Sequence, residues 1–478
     1  MTTAAVNPPR IQASARRTSS RTLLIGSAIG VILLSLLAML VVQNAYTSIL
    51  NQVQEIVQVS SAKVDASEAA LAAISAINSS ASDFVATAAD NPKHWASLDA
   101  VHASFQTFRD EMYAVRSNLQ TEDERATYNK VEYFAFDQFW QHMGNLLTAE
   151  QNGDRATAIS EYIIADNYLQ NQIARYLLDL EKLNFDSMVA NGRDARNLAQ
   201  SVQASVGLIM FTVALALTAL AFWLRFKVRR YVTPGEHRDV EAGWVVFLIA
   251  FAHFSAVPGQ IDRMINDAYL SITASARVLA TGNQTASAES AAIIDAGNAD
   301  YWNRNFDAYR KSVEIRLCGV EGCTLATFLQ PGATDQIAPN VINAANSNTA
   351  NAPLRDGIKP LVANVTFMGE ARALEQARVA FADYLKINTQ VRTLLQNKLV
   401  EDAVDLSTGS AVGQSDEAFV RFQKAMNAER AINRFYFDRT WTEIQAALRP
   451  GQTVLAIGGY ALVILAVLAG VYQRVREL

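Results

Sequence analysis

The sequence predicts an all-α membrane protein in which four transmembrane helices alternate with two extracytoplasmic helical bundles in tandem. Of its 478 residues, 50% are hydrophobic and only 18% are charged, against about 25% charged in a typical soluble protein. The missing charge is concentrated in four long uncharged stretches. The regions between them contain little proline or glycine, and their apolar residues recur every three or four positions, which is typical of amphipathic helices.

Composition also excludes several classes of function. A net charge of −5 argues against a nucleic-acid-binding protein with a broad basic face. Two cysteines are too few for a disulfide-rich scaffold or a multi-cysteine metal centre. The sequence contains no P-loop, dinucleotide-binding glycine motif, zinc-protease motif or serine-hydrolase motif in a plausible setting. We therefore expect neither an enzyme nor a bound cofactor.

The chain begins with a basic segment, residues 1–22, followed by the first predicted span at 23–43. This hydrophobic run is longer than the roughly 7–15 residues of a signal-peptide core and continues into helical sequence, so we expect a retained signal-anchor. It contains Gly26 and Gly30, a spacing that lets helix backbones pack closely, within one chain or in a homodimer. Chance glycines in a membrane helix are the alternative.

Residues 44–202 predict the first bundle, of four helices. Asn91-Pro92 interrupts the helical pattern, Thr121 to Glu124 has the form of a capping box, and Asn152-Gly153-Asp154 is a turn signal. Short connections favour an up-down-up-down arrangement. We expect the last helix, from about Arg155, to continue into the second span.

The remaining spans differ in strength. Residues 203–224 form the second span, 225–239 a basic connector, and 453–473 the last span before a short tail at 474–478. Residues 240–257 predict the third span, although this run is shorter and a buried helix of a soluble protein is its alternative.

Basic residues set the orientation, because Lys and Arg are enriched on the cytoplasmic side. The N-terminal segment, the connector and the tail are all basic, which places both termini inside the cell membrane. The two long regions are then extracytoplasmic. Region 44–202 carries a net charge of −10 and region 258–452 a net charge of −2.

Residues 258–452 predict a second helical bundle with a loop insertion at 317–360. Helices are expected over 261–280 and 286–315, with a connection between them, and again over 361–404 and from Ser415 onward. Cys318 and Cys323 predict a local disulfide if this region is outside the cytoplasm. Free thiols remain the main alternative, and a metal site lacks a nearby histidine.

Short matches suggest that the second bundle duplicates the first. Leu-Asn-Phe-Asp at 183–186 precedes the second span much as Phe-Tyr-Phe-Asp at 435–438 precedes the last. The turns at Gln151-Asn152 and Gln396-Asn397 each precede a helical segment rich in alanine and acids. Chance remains an alternative for strings this short, and the repeated order of span, bundle and span is the stronger argument.

The alternation of membrane helices and outer bundles resembles the four-helix-bundle sensor domain of methyl-accepting chemotaxis receptors. The passage NLLTAEQNGDRATAISEYI (145–163) is similar to the turn into the last helix of that domain. Two such units in tandem also resemble the actinobacterial GlnX family, to which AVDLSTGSAVGQSDEAFVRFQKAM (403–426) is similar in style. The chain differs from chemoreceptors in having no HAMP domain and no signalling hairpin. The resemblance implies a solute-binding protein outside and a kinase or other signalling protein inside.

Four residues are candidates for ligand binding, because a sensor of an anion such as an amino acid needs Arg near a partly buried seam. Trp302 and Arg304 lie on one predicted helix, and Arg430 and Arg434 on another. Exposed bundle surfaces contain the same residue types, which is the alternative interpretation.

The sequence thus favours a transmembrane sensor or signal-transmitting subunit. Its outer bundles would perceive a small ligand or a liganded binding protein and relay the change to a separate cytoplasmic partner. A non-catalytic accessory or scaffold subunit of a membrane complex is the alternative.

Overall fold

A computed structural model describes residues 11–87, 91–228, 255–319 and 360–450, together with isolated helical residues within 244–252 and 461–472. Every regular element in these ranges is helical and none is a strand. The protein is therefore all-α in the part that the structure describes.

The described residues include twelve α-helices with defined bounds, and four short π-helical segments adjoin them. The α-helices are α1 (Ile11–Glu55), α2 (Ser61–Ala86), α3 (Pro92–Ser117), α4 (Glu122–Glu132), α5 (Trp140–Gln151), α6 (Arg155–Tyr168), α7 (Ala174–Val228), α8 (Leu270–Ile294), α9 (Ala299–Cys318), α10 (Glu370–Gln396), α11 (Val400–Thr408) and α12 (Ser415–Pro450). The π segments are Ile56–Ser60, Tyr133–Phe139, Leu169–Ile173 and Arg263–Tyr269, and two 3-10 turns cover Ala296–Asn298 and Leu361–Asn364.

The chain divides into two compact units. The first unit contains residues 1–54, 191–262 and 440–478, and the second contains 55–190 and 263–439. The sequence predicts two bundles in tandem, whereas the structure gathers the helices of both regions into one unit. We call residues 55–190 and 263–439 the two halves of the second unit.

In the first unit, α1 has one buried and one exposed apolar face. Ser35, Ala38 and Val42 are buried, whereas Leu33 and Leu37 are each 61% exposed. An exposed leucine face on a long helix suits a lipid environment. Two helices of the described residues, Ile32–Ala86 and Arg155–Ala216, are long and apolar enough to cross a membrane.

The other two predicted spans fall mostly outside the described residues. Of the third, Trp244, Val245, Leu248, Ala252 and residues 255–257 are described, and of the fourth five residues, all of them helical. Four spans, and the orientation derived from them, therefore remain predictions. The basic connector is described only as far as Val228, and the predicted insertion only at its ends.

The second unit is built around α2, which packs against α3 in its own half and α8 in the other. Its buried face contains Ala70, Leu71, Ile74 and Ile77. Alanine allows the neighbouring helices to approach closely, and the larger side chains fill the space between them. The surrounding core includes Ala291 and Trp302 of the second half, so this core extends across both halves.

The start signals in the first half are confirmed. Asn91 accepts a hydrogen bond from the backbone N–H of Lys93 and caps α3, which begins at Pro92. Thr121 and Glu124 form the complete capping box of α4. Gly153 adopts a φ of 71°, the left-handed conformation that ends a helix. These three signals depend on neighbouring residues alone, which is why the sequence locates them correctly.

The connection predicted between 280 and 286 is wrong, because α8 continues through it. Gly282 lies against Phe422, whose ring would be only 2.6 Å from a Cβ at that position. Asn283 accepts a hydrogen bond from the Gln423 side chain at 2.9 Å. Glycine and asparagine here serve the close packing of α8 against α12, rather than a turn.

Two local structures recur in both halves and support an internal duplication. Glu124 accepts the backbone N–H groups of Gln120 and Thr121, and Glu370 accepts those of Thr366 and Phe367 in the same pattern. Each carboxylate caps the helix in which it lies.

The turns after α5 and α10 also have the same backbone hydrogen bonds. The N–H groups of residues 152, 153 and 154 reach carbonyls four, three and five residues back, and so do those of 397, 398 and 399. Gly153 and Lys398 occupy the same left-handed position. This correspondence has an offset of 245 and that of Glu124 with Glu370 an offset of 246, whereas the string match of 183–186 with 435–438 has an offset of 252.

Candidate functional site

A cavity of about 500 Å³ lies between the two halves of the second unit. One wall comes from α6 and the π segment Leu169–Ile173, and the other from α8, the turn after it and α9. We call it the amide cleft. Its lining consists of Ile163, Ile164, Asp166, Asn167, Gln170, Asn171, Gln284, Ser287, Ala288, Asp295, Asn298, Tyr301, Trp302, Asn305 and Tyr309. Neither half alone would form it.

Asp166 is the most buried charged group of the amide cleft, at 4% exposure. It accepts hydrogen bonds from the side chains of Gln170, at 3.4 Å, and Asn78. Burial raises its pKa to about 6, and the two amides oppose that shift. Asn78 also donates to Ser287 of the second half, so this amide joins the two walls beneath the cleft.

The opposite wall is aromatic. The Trp302 indole N–H donates to Asp295 at 3.2 Å, which holds the ring in place, and the Asn298 amide contacts both oxygens of the same carboxylate. Tyr301 packs edge-to-face on Trp302 with ring centroids 5.0 Å apart, and it is 49% exposed. Burial, together with the charge of Asp166, raises the pKa of Tyr309 to about 12.

A local irregularity shapes the first wall. The N–H of Ala174 donates to the carbonyl of Leu169, five residues back, which marks a π turn within an otherwise α-helical run. Such turns are frequent at functional sites because they reorient side chains. Gln170 and Asn171 belong to this turn and line the cleft. The Gln170 Oε1 atom is buried and has no hydrogen-bond partner among the described residues.

The chemistry of the amide cleft is defined by two carboxylates, several amides and three aromatic rings, with no Lys or Arg among its lining residues. It can hold a neutral or positively charged small molecule. It is unsuited to an anion, which would lie beside two carboxylates without a compensating cation. Among the described residues, no three or more His, Cys, Asp or Glu side chains converge in a way that could hold a metal ion.

The predicted ligand residues are divided between different places. Trp302 lies in the amide cleft, whereas Arg304 is exposed and does not line it. Arg430 and Arg434 line a smaller cavity of about 340 Å³ with Asp65. The structure therefore does not combine Trp302 with an arginine in one anion site.

Arg430 and Arg434 each pair with a carboxylate from the first half. Arg430 lies 3.0 Å from Glu68, and Arg434 lies 2.5 Å from Asp65. Burial raises the pKa of Glu68 to about 8, even though the charge of Arg430 acts in the opposite direction. Both arginines already contact an acidic side chain of α2, so their evident role is to join α12 to α2.

The other predicted sites have mixed outcomes. Cys318 is buried and disulfide-bonded, and Cys323, its predicted partner, lies outside the described residues. No described atom lies within 4 Å of a Cβ placed at Gly26 or Gly30. Close packing at these glycines is therefore not found among the described residues, and a role in a homodimer stays a prediction.

Sequence reasoning missed Asp166, Gln170, Asn171 and Asp295. The run Asp-Asn-Tyr-Leu-Gln-Asn at 166–171 places four polar side chains within two turns of a helix that is otherwise apolar on its inner face. That density of amides is the signal that could have identified one wall. Nothing in the sequence indicates that this wall faces residues 284–309, more than a hundred positions later.

Comparison with protein families, with curated proteins and with solved structures finds no match to this chain. The resemblance to chemoreceptor-type bundles and to the GlnX family therefore remains a prediction.

Proposed function

We propose that this protein is a transmembrane sensor or signal-transmitting subunit whose amide cleft perceives a small ligand. One observation carries the proposal. Asp166, Asn167, Gln170 and Asn171 line the cleft, and they lie on the continuous helical run Arg155–Val228. The same run contains a segment long and apolar enough to cross a membrane. A change at the cleft thus has a direct helical connection to that segment.

The mechanism requires two packings of similar energy. A ligand that contacts both walls of the amide cleft would favour the packing in which the spacing of α6 and α9 fits it. The shift in the equilibrium would equal the difference between its binding free energies for the two packings. A small shift or rotation of the run 155–228 would then reach the predicted span 203–224 and the basic connector. A cytoplasmic partner would detect the change there.

The test is a distance measurement between two predicted spans in the full chain in lipid nanodiscs. Spin labels at Leu37→Cys and Leu215→Cys, both on exposed faces, report that distance by double electron–electron resonance. The probes are putrescine, choline, glucose and L-glutamate. We expect at least one of them to shift the distance distribution, and Asp166→Asn to abolish the shift.

An exposed tyrosine on α3, Tyr113, provides the control, and Tyr113→Ala should leave the response intact. If none of the four probes changes the distance, direct sensing of these classes in the amide cleft is contradicted. A distance shift that appears only with a purified solute-binding protein would show that the ligand is recognised outside the amide cleft. Stoichiometric copurification with a transporter or respiratory complex, without any response, would favour the alternative of a scaffold subunit.

A further inference from the structure

We propose that the ligand of the amide cleft is a small organic cation, such as a protonated amine or a quaternary ammonium compound. This inference rests on the proposed sensing role of the cleft, but it concerns binding alone. It differs from the expectation of an anionic ligand, which depended on arginines that the structure places outside the cleft.

The charge of the amide cleft favours a cation. Asp166 and Asp295 both line the cavity, and the protein donors that contact them are neutral: Gln170 and Asn78 for Asp166, and Asn298 and Trp302 for Asp295. Since no basic side chain belongs to the lining, the cavity carries uncompensated negative charge. A cation supplies the missing charge in a partly buried site, where Coulomb attraction is stronger than in water.

The aromatic wall of the amide cleft also favours a cation. Tyr301, Trp302 and Tyr309 all line the cavity, and aromatic faces attract ammonium groups through their quadrupole. Tyr301 is half exposed and available for contact, while Trp302 is fixed by its bond to Asp295. Carboxylates combined with several aromatic rings match an organic cation better than Ca²⁺ or Mg²⁺, which are bound by oxygen ligands.

The side-chain oxygen of Gln170 favours a ligand that can donate a hydrogen bond. Gln170 Oε1 is buried without a partner among the described residues, and a buried acceptor of this kind usually has one. The N–H groups of a protonated amine would satisfy it beside the carboxylate of Asp166. A neutral polyol could also donate to Gln170, but it would leave the charge of Asp166 uncompensated. The volume of about 500 Å³ lies within the range of small-molecule sites.

The experiment is isothermal titration of the full chain in nanodiscs with putrescine, choline, glucose and L-glutamate. We expect at least one of the two cations to bind, and both glucose and glutamate to fail. Asp166→Asn and Tyr301→Ala should each weaken cation binding by about tenfold. The first removes a charge contact and the second a cation–π contact, in a partly desolvated site. Asp295→Asn provides a third variant, independent of the fold around Asp166.

Matched controls are Asp137→Asn and Tyr113→Ala, whose side chains are exposed and outside the cleft; both should bind as the unmodified chain does. The proposal would be overturned if glucose or glutamate bound and Tyr301→Ala weakened that binding. It would also be overturned if neither cation bound, or if a cation bound equally well to all three cleft variants and to the unmodified chain. Cation binding without any change in the span distance would contradict the sensor instead. A distance change caused only by glucose or glutamate would keep the sensor and reject the cation.

Discussion

At the scale of single residues, the second unit is notable for its buried carboxylates. Glu68, Glu124, Glu370 and Glu429 are each at most 2% exposed. Glu124 and Glu370 are stabilised by backbone N–H groups, whereas Glu68 depends on Arg430 and Glu429 on neutral side chains. A buried charge is costly unless it is paired and hydrogen-bonded. These four acids therefore differ in how they respond to mutation and to pH.

Lys63→Met should destabilise the second unit by about 3 kcal/mol, because it leaves the buried carboxylate of Glu124 without its cation. The two side chains are 3.3 Å apart and almost completely buried. Lys182→Met is the matched control, since Lys182 pairs with Asp186 on the surface and should lose less than about 1 kcal/mol. Chemical denaturation monitored by circular dichroism measures both. Equal losses in the two variants would contradict a strong buried pair.

Glu429→Gln should stabilise the protein increasingly as the pH rises from 5 to 9. Burial raises the pKa of Glu429 from its ordinary value of 4.5 to about 8. The folded state thus holds the proton of Glu429 more tightly than the unfolded state does. The stability that protonated Glu429 contributes is complete below pH 4.5 and is lost as the pH rises through about 8. The gain at pH 9 should be on the order of a few kcal/mol.

Denaturation midpoints at pH 5, 7 and 9 measure this effect. Glu401, which is exposed, supplies the control, and Glu401→Gln should show the same pH dependence as the unmodified chain. A Glu429→Gln variant whose advantage does not grow with pH would show that the carboxyl titrates at its ordinary value in the folded protein.

At the scale of helices, one close approach determines how the second half packs. Gly282 of α8 lies directly under the Phe422 ring of α12, with Phe419 also within 3.6 Å of the position of a Cβ. Both phenylalanines belong to a core of large buried rings that includes Phe381 and Tyr384. Glycine in a helix has a conformational cost, which is offset here by the contact that it allows.

Gly282→Ala should lower the free energy of unfolding by about 1–3 kcal/mol, because the added methyl group overlaps Phe422 and the core has to move. Gly144 of α5 is the control. Nothing lies within 4 Å of a Cβ at that position, so Gly144→Ala should be neutral or stabilise by up to about 1 kcal/mol. Urea denaturation of the two variants tests the contrast. A neutral Gly282→Ala would mean that α8 and α12 are less closely packed.

At the scale of the whole second unit, buried ion pairs link the two halves. Arg277 contacts Glu181 at 3.0 Å, and the two side chains are 5% and 1% exposed. Tyr269 donates to the backbone carbonyl of Ser61, and Lys93 pairs with Asp416. With the shared core around α2, these contacts predict one cooperative unit rather than two that unfold separately.

Arg277→Met should destabilise both halves together, by about 3–5 kcal/mol, since it leaves Glu181 buried without that charge partner. Hydrogen exchange followed by mass spectrometry provides the measurement. Peptides from α3 in the first half and α10 in the second should lose protection by the same free energy. Arg421→Met, in an exposed ion pair with Asp383, should change neither by more than about 1 kcal/mol. Loss of protection in one half alone would contradict cooperativity.

Sequence reasoning succeeded where structure depends on neighbouring residues and failed where it depends on distant ones. The caps at Asn91 and Thr121 and the turn at Gly153 could be predicted because their hydrogen bonds span a few positions. Gly282 could not be interpreted without Phe422. The amide cleft could not be predicted either, since its two walls come from different halves. Trp302 was selected for its neighbour Arg304, which does not line the cleft, whereas its actual partners are Asp295 and Tyr301.

The π segments Ile56–Ser60 and Arg263–Tyr269 change the direction in which side chains project around the axes of their helices. In the first, the N–H of Ser61 reaches back five residues to Ile56, so the turn holds one residue more than an α-helical turn. Removing one residue there would restore regular winding and rotate every upstream side chain by about 100° relative to α2. Ile56 and Ser60 of this turn, which are both buried, thus keep their inward direction in the second unit through a single extra residue.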